Sequence, residues 1–184
     1  ALPYEEIFAF IQAAQSSDDP AKAIREQTRF DEAAFNLARY VQVTAALQAQ
    51  GVFTDGWELW PRLNLYERRY ARGTGLSWGV TVRNARIFSD GPKLGYGDYS
   101  AQVALENTNF DDWMLIALSW STERDLTEYL TQLWGLETTE FGRDIVAGYG
   151  FAPVSPVYYA LSPTAHCTDL SVDALPIDGT TVWP

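Results

Sequence analysis

The spacing of apolar residues changes at about residue 52, and this change constrains the fold more than any other feature of the sequence. From Asp31 to Gly51 the apolar residues recur at helical spacing, and Gly51 stands where a helix would stop. Residues 4–15 carry a second helical pattern behind Pro3. We therefore predict N-terminal helices over about residues 4–50.

Beyond residue 52 the spacing is typical of strands. Apolar residues alternate with polar or small ones over residues 76–83 and again over 99–106, as in strands with one buried face. Residues 113–118 are continuously apolar, as in a strand covered on both faces. Turn-forming residues separate these runs. The sequence therefore predicts a curved antiparallel β-meander over about residues 52–121.

The remaining third of the chain favours helices and then irregular structure. Thr122 to Asp125 match a capping box, and leucines at helical spacing follow it. We predict C-terminal helices over about residues 122–148. Prolines recur after Gly150 and predict an irregular, proline-rich tail. The predicted fold class is α+β, in a single domain over residues 1–184.

Positive charge is concentrated in one part of an acidic chain. The net charge is −11, yet residues 61–93 hold seven cations and only two anions. Eleven of the thirteen cations are arginine, whose planar guanidinium binds carboxylates and phosphates bidentately and stacks on aromatic rings. One interpretation is that these arginines pair with the acidic flanking segments. The other is a binding site for an anion or an acidic partner.

We assign the candidate ligand site to cations and aromatic residues of this segment. Its residues are Arg68, Arg69, Arg72, Tyr66 and Tyr70. The expected occupant is a small anionic or aromatic ligand, or a protein partner. Nucleic acid is excluded as a partner, because the acidic field of the chain repels a polyanion. No membrane span is expected, since the longest apolar run has six residues and a spanning helix needs roughly 20.

Metal and thiol chemistry have little support. The only histidine and the only cysteine are the neighbours His166 and Cys167, which excludes a histidine-rich zinc site and an internal disulfide. We predict no metal site and no cofactor, and an oxygen-only calcium site at Asp111 and Asp112 stays open. Gly73 and Gly75 could belong to a phosphate-binding loop or to a hairpin turn. No P-loop residues follow them, so a hairpin turn is the preferred interpretation.

These features favour an exported, non-enzymatic binding or interaction module that uses its arginine-rich and aromatic region. The alternative is a hydrolase or transferase that uses carboxylates in a cleft, such as the pairs Asp111–Asp112 and Glu137–Glu140. The chain begins Ala-Leu-Pro without an initiator methionine, which fits either signal-peptide removal or trimming. We expect a secreted or periplasmic protein.

Overall fold

The computed structural model describes residues 13, 17–19, 22–23, 32–74, 76–77, 80–81, 90–159 and 174–175, and these residues are mainly helical. In chain order the elements are α1 (Glu32–Ala49), a 3₁₀ turn (Gly56–Glu58), α2 (Leu59–Thr74), β1 (Leu76–Ser77), β2 (Val80–Thr81), a second 3₁₀ turn (Pro92–Leu94), α3 (Ala101–Asn107), α4 (Phe110–Thr122), a π-helical turn (Tyr129–Leu133), α5 (Glu140–Tyr149), β3 (Tyr158–Tyr159) and β4 (Ala174–Leu175). Strand β1 pairs with β2 and β3 with β4, both antiparallel. Among the helices described, none has the length and apolar character needed to cross a membrane.

Contacts along the backbone divide the chain into two compact units. Unit 1 comprises Ala1–Glu58, Glu128–Leu136 and Val154–Pro184, and unit 2 comprises Leu59–Thr127 and Glu137–Pro153. Each unit therefore draws on segments that are distant in sequence. The single-domain expectation stays a prediction.

Helix α1 of unit 1 uses two glutamine side chains to hold the segment before and within β3. Gln42 is fully buried, and its amide donates to the carbonyl of Tyr159 (2.8 Å) and accepts from the N–H of the same residue (3.0 Å). Two turns further on, Gln50 makes the same pair of bonds with Ser155 (3.2 and 3.1 Å). Each amide thus satisfies one backbone donor and one acceptor, as a neighbouring strand would.

Unit 2 is organised by the buried face of α2. Leu59, Leu63, Tyr66 and Tyr70 are all buried and are spaced at four, three and four residues, which is the helical period. This face packs against α4. Pro61 lies in the first turn of α2, where the missing N–H costs no helical hydrogen bond.

A buried carboxylate joins the N-terminal ends of α4 and α5. Asn109 and Asp112 form a capping box at the start of α4. The Asp112 carboxylate also accepts from the backbone N–H (2.7 Å) and the hydroxyl (2.8 Å) of Thr139, the N-cap of α5. A Cβ on Gly142 would lie 2.7 Å from Cγ of Asp112, so this close approach requires glycine. Asp112 thereby fixes the spacing of the two helices.

The predicted meander over residues 52–121 is wrong. Helices α2, α3 and α4 occupy half of it, and the described strands there are only β1 and β2, of two residues each. In residues 99–106 a cap outweighed the alternation, because the hydroxyl of Ser100 accepts from the N–H of Val103 and starts α3. The apolar run at 113–118 belongs to α4, a helix buried on several sides. The spacing of apolar residues cannot distinguish such a helix from a buried strand.

The helical predictions correspond better to the structure. The pattern from Asp31 to Gly51 corresponds to α1, and Gly51 adopts a positive φ of 70° just after it. The predicted helices at 122–148 correspond to a π-helical turn and α5. The helix predicted over residues 4–15 lies outside the described residues except at residue 13, as do residues 160–173 and 176–184 of the predicted tail.

Candidate functional site

Two of the predicted site residues belong to a buried tyrosine cluster in unit 2. Tyr66 and Tyr70 are 0% and 5% exposed, and their rings stack with centroids 6.2 Å apart. The hydroxyls of Tyr66 and Tyr96 lie within hydrogen-bonding distance, at 3.3 Å. Burial raises the pKa of the Tyr66 phenol well above its usual 10.0, and burial also raises the pKa values of Tyr70 and Tyr96. These phenols therefore remain uncharged at neutral pH and form a polar core layer.

The three predicted arginines lie together on the other face of α2. They line a cleft of about 590 Å³, which we call the arginine cleft. Its lining residues are Leu65, Arg68, Arg69, Arg72, Asp90 and Lys93. The guanidinium of Arg69 lies 5.7 Å from the centroid of the Trp120 ring, a cation–π distance. The structure thus brings together Arg68, Arg69 and Arg72, and Tyr66 and Tyr70 do not line this cleft.

A second cleft, of about 670 Å³, lies between the loop that precedes α3 and helix α5 of the same unit. We call it the aromatic cleft, because rings dominate its lining. Its aromatic residues are Tyr96, Tyr99, Trp120, Phe141, Tyr149 and Phe151, and its carboxylates are Asp98 and Asp144. The ring of Tyr99 is 48% exposed and lies 5.4 Å from that of Phe141, centroid to centroid. These two rings present apolar surface to solvent beside exposed carboxylates.

Hydrogen bonds from two helices hold the loop that forms one wall of the aromatic cleft. The indole N–H of Trp120 donates to the carbonyl of Lys93 (2.7 Å), and the hydroxyl of Tyr149 donates to the carbonyl of Leu94 (2.6 Å). Gly95 adopts a φ of 90°, and a Cβ there would lie 2.7 Å from Cζ of Tyr149. Only glycine fits both the backbone angle and the ring. The wall of the cleft is therefore pre-formed.

The two clefts adjoin each other within unit 2. Lys93 lines both of them. The Trp120 ring lines the aromatic cleft and also lies beneath the guanidinium of Arg69. A molecule in the aromatic cleft would therefore lie beside a cationic surface.

The lining of the aromatic cleft suits a neutral, hydroxylated ligand with an apolar face. Exposed rings bury apolar surface, and ionised carboxylates act only as hydrogen-bond acceptors. Asp98 and Asp144 can therefore accept from ligand hydroxyls. A carbohydrate has both features, namely faces of C–H groups and rims of hydroxyls. The clefts differ in charge and hence in the ligand groups that they suit.

Sequence reasoning missed the aromatic cleft. Its residues come from segments 92–99, 120 and 141–151, which are brought together only by the packing of α4 against α5. The available signal was local: Gly95 to Tyr99 read Gly-Tyr-Gly-Asp-Tyr, in which the glycines flank the buried Tyr96 and the exposed Asp98 and Tyr99 follow. The alternation at Tyr99 was interpreted as a strand instead.

The carboxylate pairs proposed for catalysis have structural roles where their contacts are described. Asp112 caps α4 and binds Thr139, and Asp111 accepts from the backbone N–H of Glu137 (2.8 Å). Within the described part of the chain there is no group of three or more His, Cys, Asp or Glu residues that could hold a metal ion. His166 and Cys167 lie outside the described residues.

Comparison with known proteins relates this helical fold to part of a peptidase. No protein-family model matches the chain. The chain is 24% identical over 193 residues to an immunomodulating metalloprotease of Pseudomonas aeruginosa, across 98% of this chain and 19% of that protein. Structures of the IMPa metallopeptidase from P. aeruginosa, of IMPa with T-antigen and of IMPa with an O-glycopeptide match the whole chain at 24% identity, with TM-scores of 0.68, 0.67 and 0.66. The chain spans about a fifth of the length of these relatives.

These matches correct the predicted function. The expectation of a non-enzymatic binding module is contradicted, because the protein matched along nearly the whole chain is a metalloprotease. The alternative of a hydrolase agrees better with the matches. The described residues do not, however, fit the catalytic metal implied by the relative's name, since they contain no suitable donor cluster.

Proposed function

We propose that this chain works as one part of a metallopeptidase that acts on O-glycosylated proteins, and that the aromatic cleft contacts the glycan of the substrate. The aromatic cleft carries this proposal, because exposed rings and carboxylates there fit a neutral sugar. The match to a metalloprotease over 98% of the chain supports the peptidase assignment. The relatives solved with T-antigen and with an O-glycopeptide support the substrate class.

The distribution of metal-donor residues indicates which step of such a peptidase this chain would perform. The described residues hold no group of metal donors, so the metal and the residues that cleave the peptide would lie outside the described residues. The described residues of this chain would orient the glycosylated substrate. An exported location fits this function, because O-glycosylated proteins are displayed outside cells, and we propose secretion on that basis.

Glycan binding by the aromatic cleft can be measured by calorimetric titration. The ligands are the T-antigen disaccharide, a peptide that carries it, and the same peptide without it. We expect the two glycosylated ligands to bind and the bare peptide to bind much more weakly. Tyr99→Ala should weaken glycan binding by about two- to tenfold, because an aromatic contact contributes about 0.5–1.5 kcal/mol beyond the area that it buries.

Phe110 provides the matched control. It is also an exposed aromatic residue of unit 2, at 64% exposure, and it lines neither cleft. Phe110→Ala should therefore leave glycan affinity unchanged. Equal losses in Tyr99→Ala and Phe110→Ala, or no measurable binding of T-antigen, would contradict the proposed function.

A further inference from the structure

Within the described residues, no carboxylate of the protein neutralises Arg68, Arg69 or Arg72 of α2. Arg68 and Arg72 lie one helical turn apart and are exposed, and Arg69 is half-buried between them. Within the described residues, none of the three forms an ion pair. Arg62 shows the contrast, because on the same helix it lies 3.8 Å from the carboxylate of Glu123. These three arginines are therefore available to an external anion.

The position of one of these cations is fixed before any ligand binds. The Trp120 ring is oriented by its N–H bond to the Lys93 carbonyl, and the guanidinium of Arg69 lies over that ring. Asp90 is the acidic residue of the cleft, and it contacts Lys93 at 3.5 Å. An arginine held by an aromatic ring keeps its charge and its N–H donors. The cleft thus retains three arginine donors around a space of about 590 Å³.

We propose that the arginine cleft is a subsite for the acidic group, carboxylate or sulfate, of an O-glycan whose neutral sugar occupies the aromatic cleft. The inference rests on the proposed function, because it assigns the charge preference of the same glycan. Arginine binds carboxylate and sulfate oxygens through paired N–H donors. The two clefts share Lys93 and are linked by Trp120, so one branched or extended glycan reaches both. The overall charge of −11 disfavours long polyanions and leaves a singly charged glycan as the fitting ligand.

Titration of a matched series of glycans tests this subsite. The ligands are T-antigen, sialylated T-antigen and sulfated T-antigen, each measured at low and at high salt. We expect the sialylated or the sulfated form to bind about tenfold more tightly than T-antigen at low salt, since bonds to charged groups contribute about 1.5 kcal/mol or more. This advantage should shrink as salt is raised, because exposed charges are screened. The two acidic forms distinguish a carboxylate site from a sulfate site.

The double variant Arg68→Gln/Arg72→Gln should remove the advantage of the acidic glycan. Arg62→Gln is the control on the same helix and should retain it, because Arg62 lies outside the cleft. Melting temperatures verify that both variants are folded. Arg69→Gln gives a second measure. It should weaken binding of the acidic glycans and leave the affinity for neutral T-antigen unchanged.

The possible results separate this inference from the proposed function. If T-antigen binds and both acidic forms bind no more tightly, the subsite is overturned and the proposed function stands. If no glycan binds, both are overturned. Binding of an acidic unglycosylated peptide that depends on Arg68 and Arg72, without a preference for acidic glycans, would also overturn the subsite and indicate a protein partner instead.

Discussion

Removal of the Asp112 side chain should loosen the packing of α4 against α5 and measurably destabilise the protein. Asp112→Ala deletes a carboxylate that is fully buried and accepts two short bonds from Thr139, at 2.7 and 2.8 Å. Each bond to a charged group contributes about 1.5–3 kcal/mol, which gives about 3–6 kcal/mol for the pair. Thr139 is itself exposed, so water replaces part of this loss. We therefore expect a cost of about 2–4 kcal/mol.

Urea unfolding followed by circular dichroism measures this cost. The free energy of unfolding of a small protein falls by about 2 kcal/mol per molar urea, so the midpoint should fall by about 1–2 M with this slope unchanged. Glu140→Ala is the matched control, because it removes an exposed carboxylate from the first turn of α5. That change forfeits only a favourable interaction with the helix dipole, about 0.3–1 kcal/mol. Equal midpoints for Asp112→Ala and Glu140→Ala would refute the reasoning.

Two further predictions concern buried polar groups. Gln42→Ala should lower the free energy of unfolding by about 2–4 kcal/mol, because it leaves a buried backbone donor and acceptor of Tyr159 unpaired. Gln50→Ala, at a more exposed site, should lower it by less than about half of that amount. Alkali should destabilise the protein through its buried tyrosines. Burial raises the pKa of Tyr66 and Tyr96 above 10.0. Their contribution to the free energy of unfolding is therefore complete below pH 10 and is lost as the pH rises through the folded-state pKa values. Unfolding coupled to tyrosinate absorbance checks this, and stability that stays constant from neutral pH to well above pH 10 would contradict it.

The sequence predicted the helix of unit 1 because its pattern and its stop signal agree. From Asp31 to Gly51 the apolar spacing is helical throughout, and Gly51 supplies the positive φ that follows α1. The C-terminal helix start was displaced for a local reason. Thr122 ends α4, and Asp125 accepts from the N–H of Thr127 (2.8 Å) in the turn that follows. The residue types of a capping box were present, but Thr122 ends a helix instead of starting one.

The meander prediction failed because the apolar spacing of a short segment can fit both the helical and the strand period. The buried residues of α2 have clear helical spacing, yet the strand prediction from residues 76–83 and 99–106 was extended over them. The arginine cleft was predictable in composition, since its three arginines are neighbours on one helix. The aromatic cleft was not, because Tyr99 and Phe141 meet only when α4 and α5 are packed together.

Helix α2 explains why so acidic a chain gathers its arginines in one segment. The helical period turns Tyr66 and Tyr70 inward as uncharged phenols, and it leaves Arg68 and Arg72 outside. If these cations served stability, each would be expected to face a carboxylate, as Arg62 faces Glu123. Arg69 faces an indole instead. A carboxylate would neutralise the guanidinium, whereas a ring orients it and leaves its charge available. For this reason we assign the arginine cleft to an external acidic group and not to the internal stability of unit 2.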